Sequence, residues 1–304
     1  MLTLIRRVLT ISLIYSFFIS VAGAQSVADL QNPDFVGPKP YMGPRIEINV
    51  AARQLNVYNE DGVTSNWVMS YPIAVGSTAH PTPLGERKMS DIIWNPIWYP
   101  PDSDWAKDAK ITPPGPGNPL GPVKMDLGGA ILIHGTNKPN SIGKAASHGC
   151  MRMKSEDARS LAWYLQQQAT EFRAEEEMSK YAKFNRRSFF VKIPTPIPVS
   201  VVYKPFEIKD HQLHVYQDVY GFYKNQEKLL ENLTDVMQEH GYDLSKYNLN
   251  YVKQQRDLAK AKDLVLPLND FVMPGLVSSE QAKNEAQPVV NPSSVIAGPN
   301  SLMQ

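Results

Sequence analysis

The chain has a single cysteine, Cys150, in the run Ser147-His148-Gly149-Cys150-Met151-Arg152. Sixteen positions earlier stands His134-Gly135-Thr136, so two of the six histidines lie close in sequence to the only thiol. A free thiol has a pKa of about 8.5 and needs a base to react near neutral pH. A histidine within hydrogen-bond reach can take that proton and later return it to a leaving amine. Both histidines qualify. His148 is two residues from Cys150, on the same face if the segment is extended. His134 ends a neighbouring apolar run that can place it beside the thiol. Gly149 lets the backbone come close, so the Gly149 and Cys150 amides can serve an oxyanion. Arg152 can hold a substrate carboxylate or be an ordinary surface charge. The two histidines and Cys150 could also ligate zinc with an open fourth position, but no fourth ligand or carboxylate partner suggests itself. No metal or other cofactor is expected.

The elements that must position these groups read as mostly β. Apolar residues alternate at Ile46, Ile48 and Val50, then at Leu55 and Val57, with Ala51-Ala52-Arg53 as a turn. Asn59-Glu60-Asp61-Gly62 is a turn signal before a strand over Trp67 to Gly76. Pro96 to Pro122 holds eight prolines in 27 residues, which excludes regular helix or central strand. A loop that long inside a domain is usually functional. Gly128 to Ile133 reads as a short buried strand running into His134. Ser155 is the expected cap of a helix whose Ala158, Leu161, Ala162 and Leu165 follow i, i+3, i+4, i+7 spacing. Glu171 to Arg187 is a charged extension or inserted loop, and strands return at 188–191 and 199–203. Leu229, Leu233, Val236 and Met237 stripe a further helix ended by Gly241, and a weaker helix spans about 249–261.

Composition bounds the rest. Hydrophobic residues at 42% and charged residues at 20% exclude a wholly disordered chain, and 31 basic against 30 acidic residues give no field for nucleic acid. Arg6 and Arg7, the apolar run Val8 to Val21, and Ala22-Gly23-Ala24 read as a signal peptide cleaved after Ala24. The apolar run is short for a membrane span, which takes about 20 residues. The mature protein is expected to be exported. Residues 25–44 read as a linker, and the small polar residues from 274 to 304 as a disordered tail.

The run His134-Gly135-Thr136, Gly143, Ser147-His148-Gly149-Cys150-Met151-Arg152-Met153 resembles the signature of the L,D-transpeptidases with a YkuD-type catalytic domain. Thr82-Pro83-Leu84-Gly85 resembles the family's Thr-Pro-x-Gly turn. Pro114 to Gly121 is similar to the proline-rich run of Gram-negative members. The resemblance implies a YkuD-like β-sandwich of mixed sheets with one or two helices at 45–194; the strand and helix signals after it read as a β/helical extension at 195–273. It implies Cys150 as nucleophile and His134 as proton donor and acceptor. Ser147, His148, Gly149, Arg152, Gly135 and Thr136 are implied around the substrate. The implied reaction attacks the diamino acid–D-Ala bond of a peptidoglycan tetrapeptide stem and forms a thioester. An amine then accepts the acyl group, giving a 3→3 cross-link or anchoring a lipoprotein. The resemblance also implies acylation of the cysteine by carbapenems.

Water in place of the amine would make the same site a carboxypeptidase or amidase, and a degenerate scaffold would only bind cell wall. About 20 residues separate the expected cleavage site from the first strand, too few for the LysM module that many Gram-negative members carry. The motif names neither acceptor nor diamino acid nor oligomeric state.

Overall fold

The computed structural model describes residues 41–183, 185–258 and 262–273. The expected signal peptide, linker residues 25–40, the last three positions of the weaker helix and the tail at 274–304 lie outside the described residues.

Eight strands form one mixed sheet, in the order 65–72, 54–61, 42–49, 189–202, 85–94, 123–126, 132–134 and 151–152. Strands β1 (Met42–Asn49) and β2 (Gln54–Asp61) pair antiparallel, with Ile46 opposite Val57 and Ile48 opposite Leu55. Their alternation buries one face, as the sequence pattern requires. The turn at Ala51–Arg53 is closed by Asn49, whose Oδ1 accepts from the Ala51 and Ala52 amides at 3.2 and 3.4 Å. The run expected as one strand over 67–76 is β3 (Ser65–Pro72) followed by the short β4 (Val75–Gly76). Strand β5 (Gly85–Trp94) joins β6 (Val123–Asp126) across the proline-rich segment, which is irregular apart from a short 3₁₀ turn at Asp104–Ala106.

Strand β7 is Leu132–His134; Gly128, Gly129 and Ala130 form a turn with positive φ and not the strand expected of them. Strand β8 (Ala145–Ser147) pairs with β4, and β9 (Met151–Arg152) runs parallel to β7. Helix α1 (Ser155–Ala169) buries Ala158, Leu161, Ala162, Leu165 and Gln166. Ser155 does not cap it. Its hydroxyl donates to the Thr136 carbonyl at 3.2 Å, which ties the helix start to the strand leaving the site. Helix α2 (Glu175–Lys183) lies inside the charged stretch and sends Tyr181 into the core, stacked on Trp94 at 5.0 Å. The two expected strands at 188–203 are one, β10 (Phe189–Val202), bulged between Lys192 and Ile197.

The remainder builds a second core. Strands β11 (Phe206–Lys209), β12 (Gln212–Val215) and β13 (Leu264–Pro267) form a three-stranded sheet that sequence patterning had not signalled. Helix α3 (Gln226–Glu239) lays Leu229, Leu233 and Met237 onto it, and Gly241 closes the helix at φ +76°. Helix α4 (Leu249–Leu258) adds Val252, and Phe206, Leu213 and Phe271 complete the cluster. The fold is therefore mostly β in mixed sheets, with four helices among the described residues. None of these is long and apolar enough to cross a membrane.

Candidate active site

Cys150 sits in the bend between β8 and β9. Its neighbour Gly149 has φ +110°, a conformation that L side chains rarely adopt. The segment is thus not extended, and His148 and Cys150 do not share a face. The His148 ring lies flat on Trp105, with centroids 4.0 Å apart and planes 8° apart, and faces His80 at 4.9 Å. A cleft of about 880 Å³ opens beside His80 and Trp105, walled by residues 100–109 of the proline-rich segment. That segment therefore covers one side of the nucleophile loop.

Parallel pairing of β7 with β9 sets Ile133 opposite Met151 and His134 opposite Arg152. The bend that carries Cys150 thus leads directly into the strand paired with β7, whose last residue is His134. His134 is buried, and its Nδ1 meets the Gly135 carbonyl at 2.5 Å. A carbonyl oxygen only accepts, so the proton is on Nδ1 and Nε2 keeps its lone pair. Burial pushes the imidazole pKa down to about 4, with the Arg152 and Lys124 charges adding to the fall and the Gly135 bond opposing it. Burial raises the Cys150 thiol above its ordinary value, opposed by the Leu132 N–H bonded to Sγ and by the Arg152 charge. Both shifts favour the neutral forms, a thiol on Cys150 and an unprotonated imidazole on His134. Sγ points to the Ala130 carbonyl at 3.6 Å, and no hydrogen bond joins it to His134 among the described residues.

The other sequence-predicted residues build the loop. Ser147 Oγ donates to the Cys150 carbonyl at 2.5 Å and accepts the Gly149 N–H at 3.1 Å. The Gly149 amide is therefore engaged, and of the two amides expected to serve an oxyanion only that of Cys150 lacks a protein acceptor among the described residues. Arg152 donates to the Ala146 carbonyl at 3.1 Å and stays partly exposed. Gly135 packs on Gly121 and Pro122, where a Cβ would come within 2.8 Å of Pro122 Cδ. Thr136 is buried, its hydroxyl accepting the Lys138 amide at 3.0 Å. Sequence reasoning passed over Thr82 as a loop-builder: its hydroxyl donates to the Gly149 carbonyl at 2.9 Å. Its place in Thr-Pro-Leu-Gly was the available signal. Nothing in the sequence marked His80, Trp105 or Ala130.

A family model described as the L,D-transpeptidase catalytic domain, YkuD, matches residues 43–176. The Bacillus licheniformis protein assigned as the L,D-transpeptidase YkuD is 36% identical over 145 residues, which cover 47% of this chain and 70% of that relative. The chain belongs to the YkuD-type L,D-transpeptidases. Among Gram-negative relatives of this family, the Salmonella typhimurium protein assigned as ErfK/SrfK is 28% identical over 187 residues. That match covers 53% of this chain and 58% of the relative. The Escherichia coli counterpart is 34% identical over 127 residues, 38% of this chain and 39% of that one. The chain thus spans less than two thirds of the enteric relatives. An L,D-transpeptidase from Mycobacterium smegmatis superposes with a TM-score of 0.34 at 14% identity, over 53% of this chain and 59% of that one, too distant to bear on the site.

Proposed function

We propose that this protein is an exported peptidoglycan L,D-transpeptidase with Cys150 as its nucleophile and His134 as its base. The observation that supports the reading is the register of β7 against β9, which sets Arg152 opposite His134, with Cys150 two residues before Arg152 and its Sγ against the Ala130 carbonyl that precedes β7. His134, protonated on Nδ1, presents Nε2 as the only basic ring atom. It takes the thiol proton as Sγ attacks the carbonyl of the diamino acid in a tetrapeptide stem. The Cys150 N–H receives the developing oxyanion. The same proton passes to the departing D-Ala amine, and a thioester remains. An acceptor amine then attacks the thioester, gives its proton to His134, and the thiolate leaves and is reprotonated. Two acyl transfers replace one amide exchange and need no external energy source.

Arg152 lies close enough to the thiol to lower its pKa and serves the substrate carboxylate as it develops contact. Ser147, Gly149, Gly135 and Thr136 shape the loop, and His148 forms the floor under Trp105. The acceptor is a second stem peptide or the lysine of a wall-anchored lipoprotein, in the periplasm, after removal of residues 1–24. Incubation with a disaccharide-tetrapeptide, followed by product analysis, tests this. Released D-Ala together with a 3→3 dimer is expected, and both should vanish in Cys150→Ala. Tripeptide alone, even with excess acceptor amine, would make the enzyme a carboxypeptidase.

A further inference from the structure

Four hydrogen bonds link the C-terminal extension to the peptide that precedes the nucleophile. Tyr220, between β12 and α3, donates its hydroxyl to the Gly76 carbonyl at 2.9 Å and accepts the Thr82 N–H at 2.9 Å. The Thr82 hydroxyl in turn accepts the Gly76 N–H at 2.8 Å and donates to the Gly149 carbonyl at 2.9 Å. Tyr220 is itself held. Its amide donates to the Tyr203 hydroxyl at 3.2 Å, and that hydroxyl donates to Asp218 at 2.6 Å. Asp218 also accepts the amides of Phe222 and Tyr223 at 2.9 and 2.8 Å. A trans peptide keeps C=O and N–H antiparallel. Fixing the Gly149 carbonyl on Thr82 therefore turns the Cys150 N–H away from Thr82, where it has no protein acceptor among the described residues.

We propose that Tyr220 is a positioning residue of the transpeptidase, acting through Thr82 and Gly149 to aim the Cys150 N–H at the oxyanion of the acylation step. The extension thereby becomes part of the catalytic apparatus. The proposal rests on the transpeptidase reading and adds a component from outside the segment 43–176 that matches the family.

Two reactions of the same sulfur separate aim from nucleophilicity. Acylation by a β-lactam passes through an oxyanion, whereas alkylation by iodoacetamide does not. In Tyr220→Phe, which keeps the ring packing on Tyr203 and Phe222, the limiting rate of acylation by imipenem should fall about tenfold. The half-saturating imipenem concentration and the alkylation rate should stay within about twofold. Thr82→Val should lose rate similarly, Thr82→Ser should retain it, and adding Tyr220→Phe to Thr82→Val should cost less than the two losses combined. Unchanged acylation in Tyr220→Phe, a parallel fall in acylation and alkylation, or full additivity with Thr82→Val would overturn the proposal. A wild-type enzyme that is alkylated by iodoacetamide but never acylated by imipenem would overturn the transpeptidase reading and this proposal together.

Discussion

The Nδ1 proton of His134 is held by the carbonyl of its own neighbour, Gly135, at 2.5 Å. That contact fixes the tautomer but leaves the ring buried, so burial dominates and the pKa falls to about 4 from the ordinary 6.5. An unfolded chain would protonate this ring near 6.5, and the folded one resists until about 4. Stability from this group is complete above 6.5 and is lost as pH falls toward 4, about 3 kcal/mol in all. The wild type should therefore lose thermal stability between pH 7 and 4 by more than His134→Gln does. Melting curves at both pH values check the difference, and equal losses would contradict it.

The thiol titrates in the opposite sense. Because Cys150 is raised above its ordinary value, its reaction with iodoacetamide should still be accelerating at pH 8.5, where a free cysteine is at its midpoint. A plateau below pH 7 would show a thiolate already stored in the resting enzyme, against the neutral pair described above.

Trp105 reports on His148. Burial lowers the His148 pKa, and the neighbouring His80, Arg152 and Lys138 charges lower it further. An imidazolium stacked on indole should quench it. Tryptophan fluorescence should therefore titrate with a midpoint below 6.5, and the transition should disappear in both Trp105→Phe and His148→Gln. Its persistence in Trp105→Phe would assign it to another tryptophan and break the stack as a reporter.

The charged insertion is anchored by a buried polar chain. Trp94 Nε1 donates to Gln166 Oε1 at 2.8 Å, and Gln166 Nε2 donates to the Tyr181 hydroxyl at 3.0 Å. Gln166→Leu leaves the Trp94 N–H without its acceptor, at a cost of about 2 kcal/mol. Tyr181→Ala additionally opens a cavity and should cost about 3–5 kcal/mol. Denaturant unfolding of both variants orders these losses, and a Tyr181→Ala cost under about 1 kcal/mol would mean that α2 is not packed as described.

Arg53 and Asp263 tie the β1–β2 turn to the residue immediately before β13 in the second core. The guanidinium is buried while the carboxylate is partly exposed. Asp263→Ala strands a buried charge and should cost about 3 kcal/mol, measured by denaturant unfolding. A loss under about 0.5 kcal/mol would mean that the guanidinium finds water.

What the sequence disclosed follows the range of each signal. Period-two alternation at Ile46–Val50 and the i, i+3, i+4, i+7 stripe at Ala158–Leu165 are local, and both elements formed where the pattern placed them. The alignment of His134 with the residues after Cys150 was legible mainly through the motif, because it depends on a parallel pairing across eighteen positions. The orientation of His148 was missed because one glycine at φ +110° breaks the extended geometry that the same-face argument assumed. Strands β11 to β13 are four residues each, too short for alternation to stand out. Ser155 looked like a cap by type, but it is the first helical residue, with Lys154 at the cap position, and its hydroxyl donates to the Thr136 carbonyl. Tyr220 carries no local signal, since its partners lie about 140 positions away.

The central claim is that Cys150 performs acyl transfer with the help of His134. Intact-mass spectrometry of the purified protein mixed with a carbapenem tests it most directly. One covalent adduct per chain on the wild type is expected, with none on Cys150→Ala and slow formation on His134→Gln. A folded wild type with a reduced thiol and no adduct, or an adduct that survives Cys150→Ala, would contradict the account.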